Sequence, residues 1–370
     1  MIGGVVLVVF SILLLLELAF IWSFKVGFVK PIEIDSIQTW PRVSILIAAR
    51  NEEENLEACL NSVSNLDYPE PQLQVLLGND QSTDHTQIII NRWINKSDNL
   101  KSIPIQPKMN GLIAKSNVLA QLAAKADGDF LIILDADVTV TEHWLKTMVA
   151  QAMLGYDLVS GYTEVKHEDY FSAVQKMDWQ NSIHTLKVFS DKGNTLTALG
   201  NNMLISKKAY QSIGGFEALG ATKVEDLKLL LAAKKQGFQA FQLIGNGKAK
   251  TAPIKSVLGY VDQRKRWLSG ILNYRMLSGV GFVIYRLLLI EMIVGLFLFS
   301  NPTAQGLILV LILSKLIIEN IKQHQIRKSL NEVGVKFSLL EPFIISLLDT
   351  FALVALVLNP KVSWKKRKFK

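Results

Sequence analysis

Val43-Ser44-Ile45-Leu46-Ile47-Ala48 is the stretch on which the fold turns. A short, almost continuous aliphatic run of this kind reads as a parallel strand buried on both faces. Asn51 can cap a helix just after it, with Glu52, Glu53 and Glu54 near the positive helix end. Residues 73–77 form a second apolar run, and Ser82-Thr83-Asp84 can open a second helix reaching about residue 94. Residues 116–126 read as helix and 129–134 as another strand. Strands alternating with helices predict an α/β fold, a mostly parallel sheet covered by helices. Such sheets bind ligands at the carboxyl ends of their strands, so the residues just after each strand carry the functional reading.

After the second strand comes Gly78-Asn79-Asp80-Gln81-Ser82. Asp80 is placed to present an acceptor to a ligand, although a turn with a helix cap would use the same residues. After the third comes Leu134-Asp135-Ala136-Asp137. Strand alternation would put Asp135 and Asp137 on one face and Ala136 on the other. Two adjacent carboxylates repel unless a cation offsets them, and a hard divalent ion with oxygen ligands suits them. Lys115 opens the predicted helix, where its charge opposes the helix dipole; an anionic ligand there, or simple solvation, would account for it. Glu225-Asp226 stands just before a predicted helix over 227–236. The pair could merely cap that helix, or Asp226 could serve as a general base toward a hydroxyl. Gln263-Arg264-Lys265-Arg266-Trp267 precedes an apolar segment. A Trp among basic residues is common at a membrane interface, and the same set offers phosphate contacts from Gln263 and Arg266 and ring stacking by Trp267.

The 370 residues exceed one small domain, and 49% of them are hydrophobic. A mean hydropathy of +0.26 points to membrane segments beside a soluble domain. Residues 2–24 are apolar but for Glu17 and a few small residues, long enough for a spanning helix. Lys25, Lys30 and Arg42 follow, which by the positive-inside rule places the next domain in the cytoplasm. Three more apolar stretches, at 280–300, 306–321 and 337–358, close the chain. Pro342 and Asp349 lie within the last, so it either spans or forms a re-entrant helix pair; the re-entrant form keeps the tail cytoplasmic. The net charge is +8, and residues 361–370 carry six basic side chains and no acidic one. Next to apolar helices, that tail is expected to meet anionic lipid. No zinc-finger or RNA-binding motif supports a nucleic-acid partner. The single cysteine, Cys59, excludes an intrachain disulfide.

The order of these elements resembles family 2 glycosyltransferases with the GT-A fold, in the membrane branch that includes cellulose, hyaluronan and poly-N-acetylglucosamine synthases. The resemblance covers about residues 41–270, the GT-A domain; with the apolar and charge pattern the organisation is N-terminal anchor (1–24), GT-A domain (41–270), membrane helices (280–358; two spanning, the third spanning or re-entrant) and basic tail (359–370). It implies that Ile47-Ala48-Ala49-Arg50-Asn51-Glu52 contacts the nucleotide, with Ala48, Arg50 and Glu52 as donor-binding positions. Asp80 would contact the base, within a segment often written Asp-Asp-Gly-Ser, from which Asn79 and Gln81 depart. Lys115 matches the Lys segment upstream of the metal motif. Asp135 and Asp137 would hold Mg²⁺ or Mn²⁺ and the diphosphate. Asp226 would be the catalytic base, with Glu225 beside it on the acceptor side. Gln263 and Arg266 would contact the donor and Trp267 the acceptor, in a Gln-x-x-Arg-Trp motif matched without departure.

The activity implied is inverting transfer from a nucleotide-sugar, a UDP-sugar by resemblance, to a lipid or polysaccharide acceptor at the cytoplasmic membrane face. A processive exopolysaccharide synthase is the alternative, toward which the Gln-x-x-Arg-Trp motif leans; four membrane segments at most leave little room for a channel and lean toward single transfer or a partner subunit. An inactive nucleotide-sugar-binding protein or transporter is the third reading, with Glu17, Glu291 and Asp349 as intramembrane charges.

Overall fold

A computed structural model of the chain describes residues 2–30, 34, 37–109, 111–222, 224–245, 248–274, 276–332, 339–364 and 367–369. The elements begin with α1 (Ile2–Gly27), β1 (Val43–Ala49), α2 (Leu56–Ser64), β2 (Leu73–Asn79), α3 (Thr86–Ile94), β3 (Leu100–Ile103) and α4 (Ala114–Ala123). Next come β4 (Phe130–Asp135), β5 (Val138–Val140), α5 (Trp144–Met153), β6 (Leu158–Ser160), β7 (Thr163–Val165) and α6 (Tyr170–Asp191). The middle continues with β8 (Asn202–Ser206), α7 (Lys207–Ser212), α8 (Gly215–Leu219), α9 (Glu225–Lys235), β9 (Ala240–Gln242) and β10 (Ala249–Thr251). It closes with α10 (Val257–Tyr274), α11 (Met276–Leu298), α12 (Pro302–Ser329), α13 (Leu340–Leu358), β11 (Val362–Trp364) and β12 (Arg367–Phe369).

Two compact units share these elements. One spans 29–166 and 189–252 and holds the sheets. The other spans 1–28, 167–188 and 253–370 and is mainly helical.

In the sheet unit, seven strands run in the order β3-β2-β1-β4-β8-β6-β9. The β1–β2, β2–β3, β1–β4 and β6–β9 pairs are parallel. Strand β8 is antiparallel to both β4 and β6, so the sheet is mixed but mostly parallel. A second sheet has the order β5-β10-β7. On β1, Val43, Ile45 and Ile47 join one core cluster with side chains of α2, α3 and α5, while Leu46 faces α4, α7, α8 and α9 in the other. That alternation sandwiches the sheet between helices. Each aliphatic side chain fully buried here contributes about 1.5–3 kcal/mol. Gly78 lets α4 lie close on β2, because a Cβ there would fall 2.4 Å from Val118 Cγ1.

Two helix starts differ from expectation. Helix α2 begins at Leu56, not after Asn51, and α3 begins at Thr86. Asn51 instead takes a positive φ of 52°. Its Oδ1 accepts from the Thr83 N–H at 2.9 Å, and its own N–H donates to Ser82 Oγ at 3.0 Å. Its side chain thus braces the β1–α2 loop against the β2–α3 loop, serving a tertiary contact in place of a cap.

In the helical unit, four helices are long and apolar enough to cross a membrane: Leu7–Gly27, Gly279–Leu298, Pro302–Ser329 and Leu340–Leu358. Asn301 caps α12 by accepting from the Thr303 N–H at 2.9 Å, with Pro302 at the first helical position. Pro342 sits in the first turn of α13, where it costs no internal hydrogen bond. Helix α13 therefore runs unbroken for 19 residues, about 28 Å at 1.5 Å per residue. Residues 337 and 338 of the expected last stretch, and the tail side chains beyond Lys361, lie outside the described residues. Two of the acidic residues inside the apolar segments, Glu17 and Asp349, have basic partners. Glu17 meets Lys315, which also reaches Glu319 at 2.5 Å, and Lys322 lies 2.9 Å from Glu319. Asp349 pairs with Arg286 at 2.6 Å.

Candidate active site

The carboxyl ends of three central strands coincide. Ala49 of β1 is level with Asn79 of β2, and Ala48 with Asp135 of β4. Because β2 and β4 lie on opposite sides of β1, the connections diverge here, and a crevice opens where loops leave in opposite directions. Arg50 and Asp80 leave the strands together. The Arg50 guanidinium donates to the Asp80 carbonyl at 2.5 Å and lies 3.9 Å from its carboxylate. Glu52 is buried; its N–H donates to Thr86 Oγ1 at 2.8 Å, and its carboxylate accepts from Asn55 Nδ2 at 3.1 Å.

Strand β4 ends at Asp135, and Ala136-Asp137 form a turn into β5. Strand alternation therefore does not reach Asp137, although Ala136 is buried while both Asp residues keep partial exposure. Asp137 lies at the limit of hydrogen-bond reach from Thr251 Oγ1, 3.5 Å away. The donor set of this turn, two carboxylates, fits a hard divalent ion that completes its shell with water and phosphate oxygens. Among the described residues no cluster of three or more acidic, His or Cys side chains forms a closed protein cage. Cys59 donates to the Asp135 carbonyl at 3.8 Å. Burial first, then the Asp137 and Asp135 charges, hold its thiol far above the usual range, which keeps it unreactive.

Lys115, in the first turn of α4, reaches across to Asp135 Oδ1 at 2.6 Å, Glu225 Oε1 at 3.3 Å and the Gly200 carbonyl at 2.8 Å. Its ammonium thus ties two carboxylates together and is not turned toward solvent. Burial opposes its charge, but Asp135 and Glu225 outweigh burial and raise its pKa above the ordinary value. Helix α9 starts two residues earlier than expected, so Glu225 and Asp226 lie in its first turn and Val224 takes the cap position. Asp226 accepts from two backbone N–H groups, Gly200 at 2.9 Å and Leu227 at 2.7 Å. Burial, and then the Glu225 carboxylate, push its pKa up to about 6, against the pull of Lys115 and both backbone donors.

The Gly200-Asn201 turn had no assigned role in the sequence. Its backbone turns out to organise the centre: Gly200 bonds both Asp226 and Lys115, and the Asn201 carbonyl accepts from the Asp135 N–H at 3.3 Å. A glycine two residues before a strand is the available signal, since glycine often marks close approach of other groups. The structure brings Lys115, Asp135, Glu225 and Asp226 together and sets Ala48, Arg50 and Asp80 on the same strand ends. Gln263, Arg266 and Trp267 lie on α10, in the helical unit. There Trp267 packs on Trp179 with ring centroids 5.3 Å apart.

This fold is that of the GT-A glycosyltransferases. The mannosyltransferase PcManGT of Pyrobaculum calidifontis, solved with GDP-Man and Mn²⁺, matches it at a TM-score of 0.61 and 16% identity, covering 99% of this chain and 100% of that one. At that identity the likeness carries the fold alone. The family model described as Glycosyl transferase family 21 matches residues 6–370, and the chain belongs to that family. The resemblance read from the motifs therefore holds at the level of a family 2 type GT-A glycosyltransferase. Glycosyltransferase AglE of Haloferax volcanii is 28% identical over 179 residues, 48% of this chain and 57% of that protein. Beta-monoglucosyldiacylglycerol synthase of Nostoc sp. is 25% identical over 233 residues, 62% of this chain and 49% of that protein. The chain thus spans about half the length of these two relatives.

Proposed function

We propose that the protein is a membrane-bound glycosyltransferase that moves a sugar from a nucleotide-sugar to a lipid acceptor, with its GT-A domain over residues 41–270 at the cytoplasmic face. The observation that carries this reading is Asp226. Its carboxylate is fixed by two backbone N–H groups, beside a lysine that links it electrostatically to the end of β4. A carboxyl group with a pKa of about 6 is ionised at neutral pH yet basic enough to take a proton. Asp226 accepts the proton of the acceptor hydroxyl as that oxygen bonds to the anomeric carbon and the bond to the diphosphate breaks. One displacement inverts the anomeric centre without a covalent sugar–enzyme intermediate.

The donor's nucleoside meets Ala48, Arg50, Glu52 and Asp80 at the strand ends. Asp135 and Asp137 would hold Mg²⁺ or Mn²⁺, which when bound neutralises charge on the diphosphate. Lys115 keeps Asp135 and Glu225 oriented, and Glu225 faces the acceptor side. Gln263, Arg266 and Trp267 enter through their motif, as contacts to the donor's phosphates and to a sugar ring. The lipid acceptor is supported by the four long apolar helices and by the name of the Nostoc relative. The cytoplasmic face is supported by Lys25 in the last turn of α1 and by Lys30 and Arg42 after it. The Gln-x-x-Arg-Trp motif favours a second reading, repeated transfer to a growing polysaccharide with a partner subunit.

Membranes containing the protein, incubated with a panel of UDP- and GDP-sugars and read by mass spectrometry, test the proposal. One sugar added to a lipid is expected. Absence of transfer from every donor, with the folded protein present, would remove it.

A further inference from the structure

A second cluster of buried charges lies wholly within the helical unit. Asp178 of α6 is almost fully buried, and its carboxylate meets the Arg264 guanidinium, the Tyr260 hydroxyl and the Arg286 guanidinium. Arg264 and Tyr260 belong to α10, with Arg264 Nη2 donating to the Tyr260 hydroxyl at 3.0 Å. Arg286 of α11 continues to Asp349 of α13 at 2.6 Å. Arg264 Nε also lies 3.9 Å from Asp349 Oδ1, so two cations and two anions close a neutral ring joining α6, α10, α11 and α13.

Above and below this ring, α6 grips α10 twice more. Gln175 exchanges two hydrogen bonds with the backbone of Ile254, which leads into α10, both at 2.9 Å. Trp179 packs on Trp267, and the Arg264 guanidinium lies 5.0 Å from the Trp267 ring centre. Arg264 stands inside the Gln263–Trp267 stretch. It is buried on the α6 side, while Gln263 and Arg266 keep partial exposure. A buried ion ring is a poor means of gaining stability, because desolvation consumes most of the attraction and apolar packing does as well. What directional charged groups supply, and apolar packing does not, is one fixed rotation and height for a helix.

The geometry points to Asp178, with Arg264 as its partner, as a positioning residue that fixes α10 so that Gln263, Arg266 and Trp267 meet substrate. This rests on the proposed substrate role of those three residues. Asp178 itself touches no reacting group.

The test pairs D178N with the charge-matched double variant D178L/R264M, which leaves the Arg286–Asp349 pair intact. A nitroxide at D262C, an exposed position on α10, reports helix order by its spectrum, and buried Cys59 stays unlabelled. The double variant keeps the buried charge balanced and is expected to unfold at a higher temperature than D178N. Its label should become more mobile, and kcat should fall at least tenfold. D178N, which leaves surplus buried positive charge, should lose thermal stability as well. An unchanged label spectrum, or full turnover in a stably folded double variant, would overturn the positioning role. If the parent itself transfers no sugar, the substrate reading fails while the label still decides whether Asp178 positions α10.

Discussion

The backbone N–H of Gly200 donates to Asp226 Oδ2 at 2.9 Å, and a Cβ on Gly200 would lie 2.9 Å from that same oxygen. The glycine is therefore required by closeness: its N–H can approach Asp226 only because no side chain stands between them. Gly200→Ala should displace the carboxylate and lower kcat about tenfold or more, since small misplacements of a reacting group are costly. Nucleotide affinity should change little. Steady-state kinetics with donor-binding calorimetry checks this.

Asp226→Asn removes the proton acceptor while preserving shape. Turnover should fall by about 10²–10⁴, the usual worth of a general base. Donor binding should persist, which separates a chemical defect from a folding defect. Near-normal turnover would remove Asp226 from the chemistry.

The rate should fall as pH drops through about 6, because burial and then Glu225 raise the pKa of Asp226 to that value and only the ionised form accepts a proton. Below that point each pH unit costs about tenfold in base concentration. Glu225→Gln removes a charge that raises this pKa, so its acid limb should move to lower pH. Lys115→Met removes a charge that lowers it, so its limb should move to higher pH. A pH–rate profile of the three proteins reads both directions.

Chelation with EDTA should stop transfer, and Mg²⁺ or Mn²⁺ should restore it. Asp137→Asn should weaken metal binding more than nucleoside binding, measured as the Mn²⁺ concentration giving half-maximal rate. Full activity of the wild type in metal-free buffer would count against a metal at Asp135 and Asp137.

The product separates the two acceptor readings. Brief incubation with labelled donor should give a lipid carrying one sugar. A ladder of longer products would favour processive synthesis.

Much of the sheet unit was legible in the sequence because its signals are local. The aliphatic runs that became β1, β2 and β4 are short, and each was located within two residues. Asp80 follows its strand, Asp135 ends its own, and Glu225-Asp226 open their helix. The lengths of the apolar segments set the four long helices in the same way. Helix starts failed where a polar residue had a better distant partner, as Asn51 does in Thr83.

The sequence by itself determined the class: an α/β domain, acidic residues in order at strand ends and a helix start, and apolar helices before and after that domain in the chain. Both the periodicity of burial and the reach of a motif act over a few residues, so a linear reading can find them. Only the tertiary structure decided what Lys115, Gly200 and Arg264 do. Lys115 meets Gly200 across 85 positions, and Glu17 finds Lys315 across 298. At such separations the partner of a charge is chosen by the packing of whole elements. No local pattern in the chain records that choice.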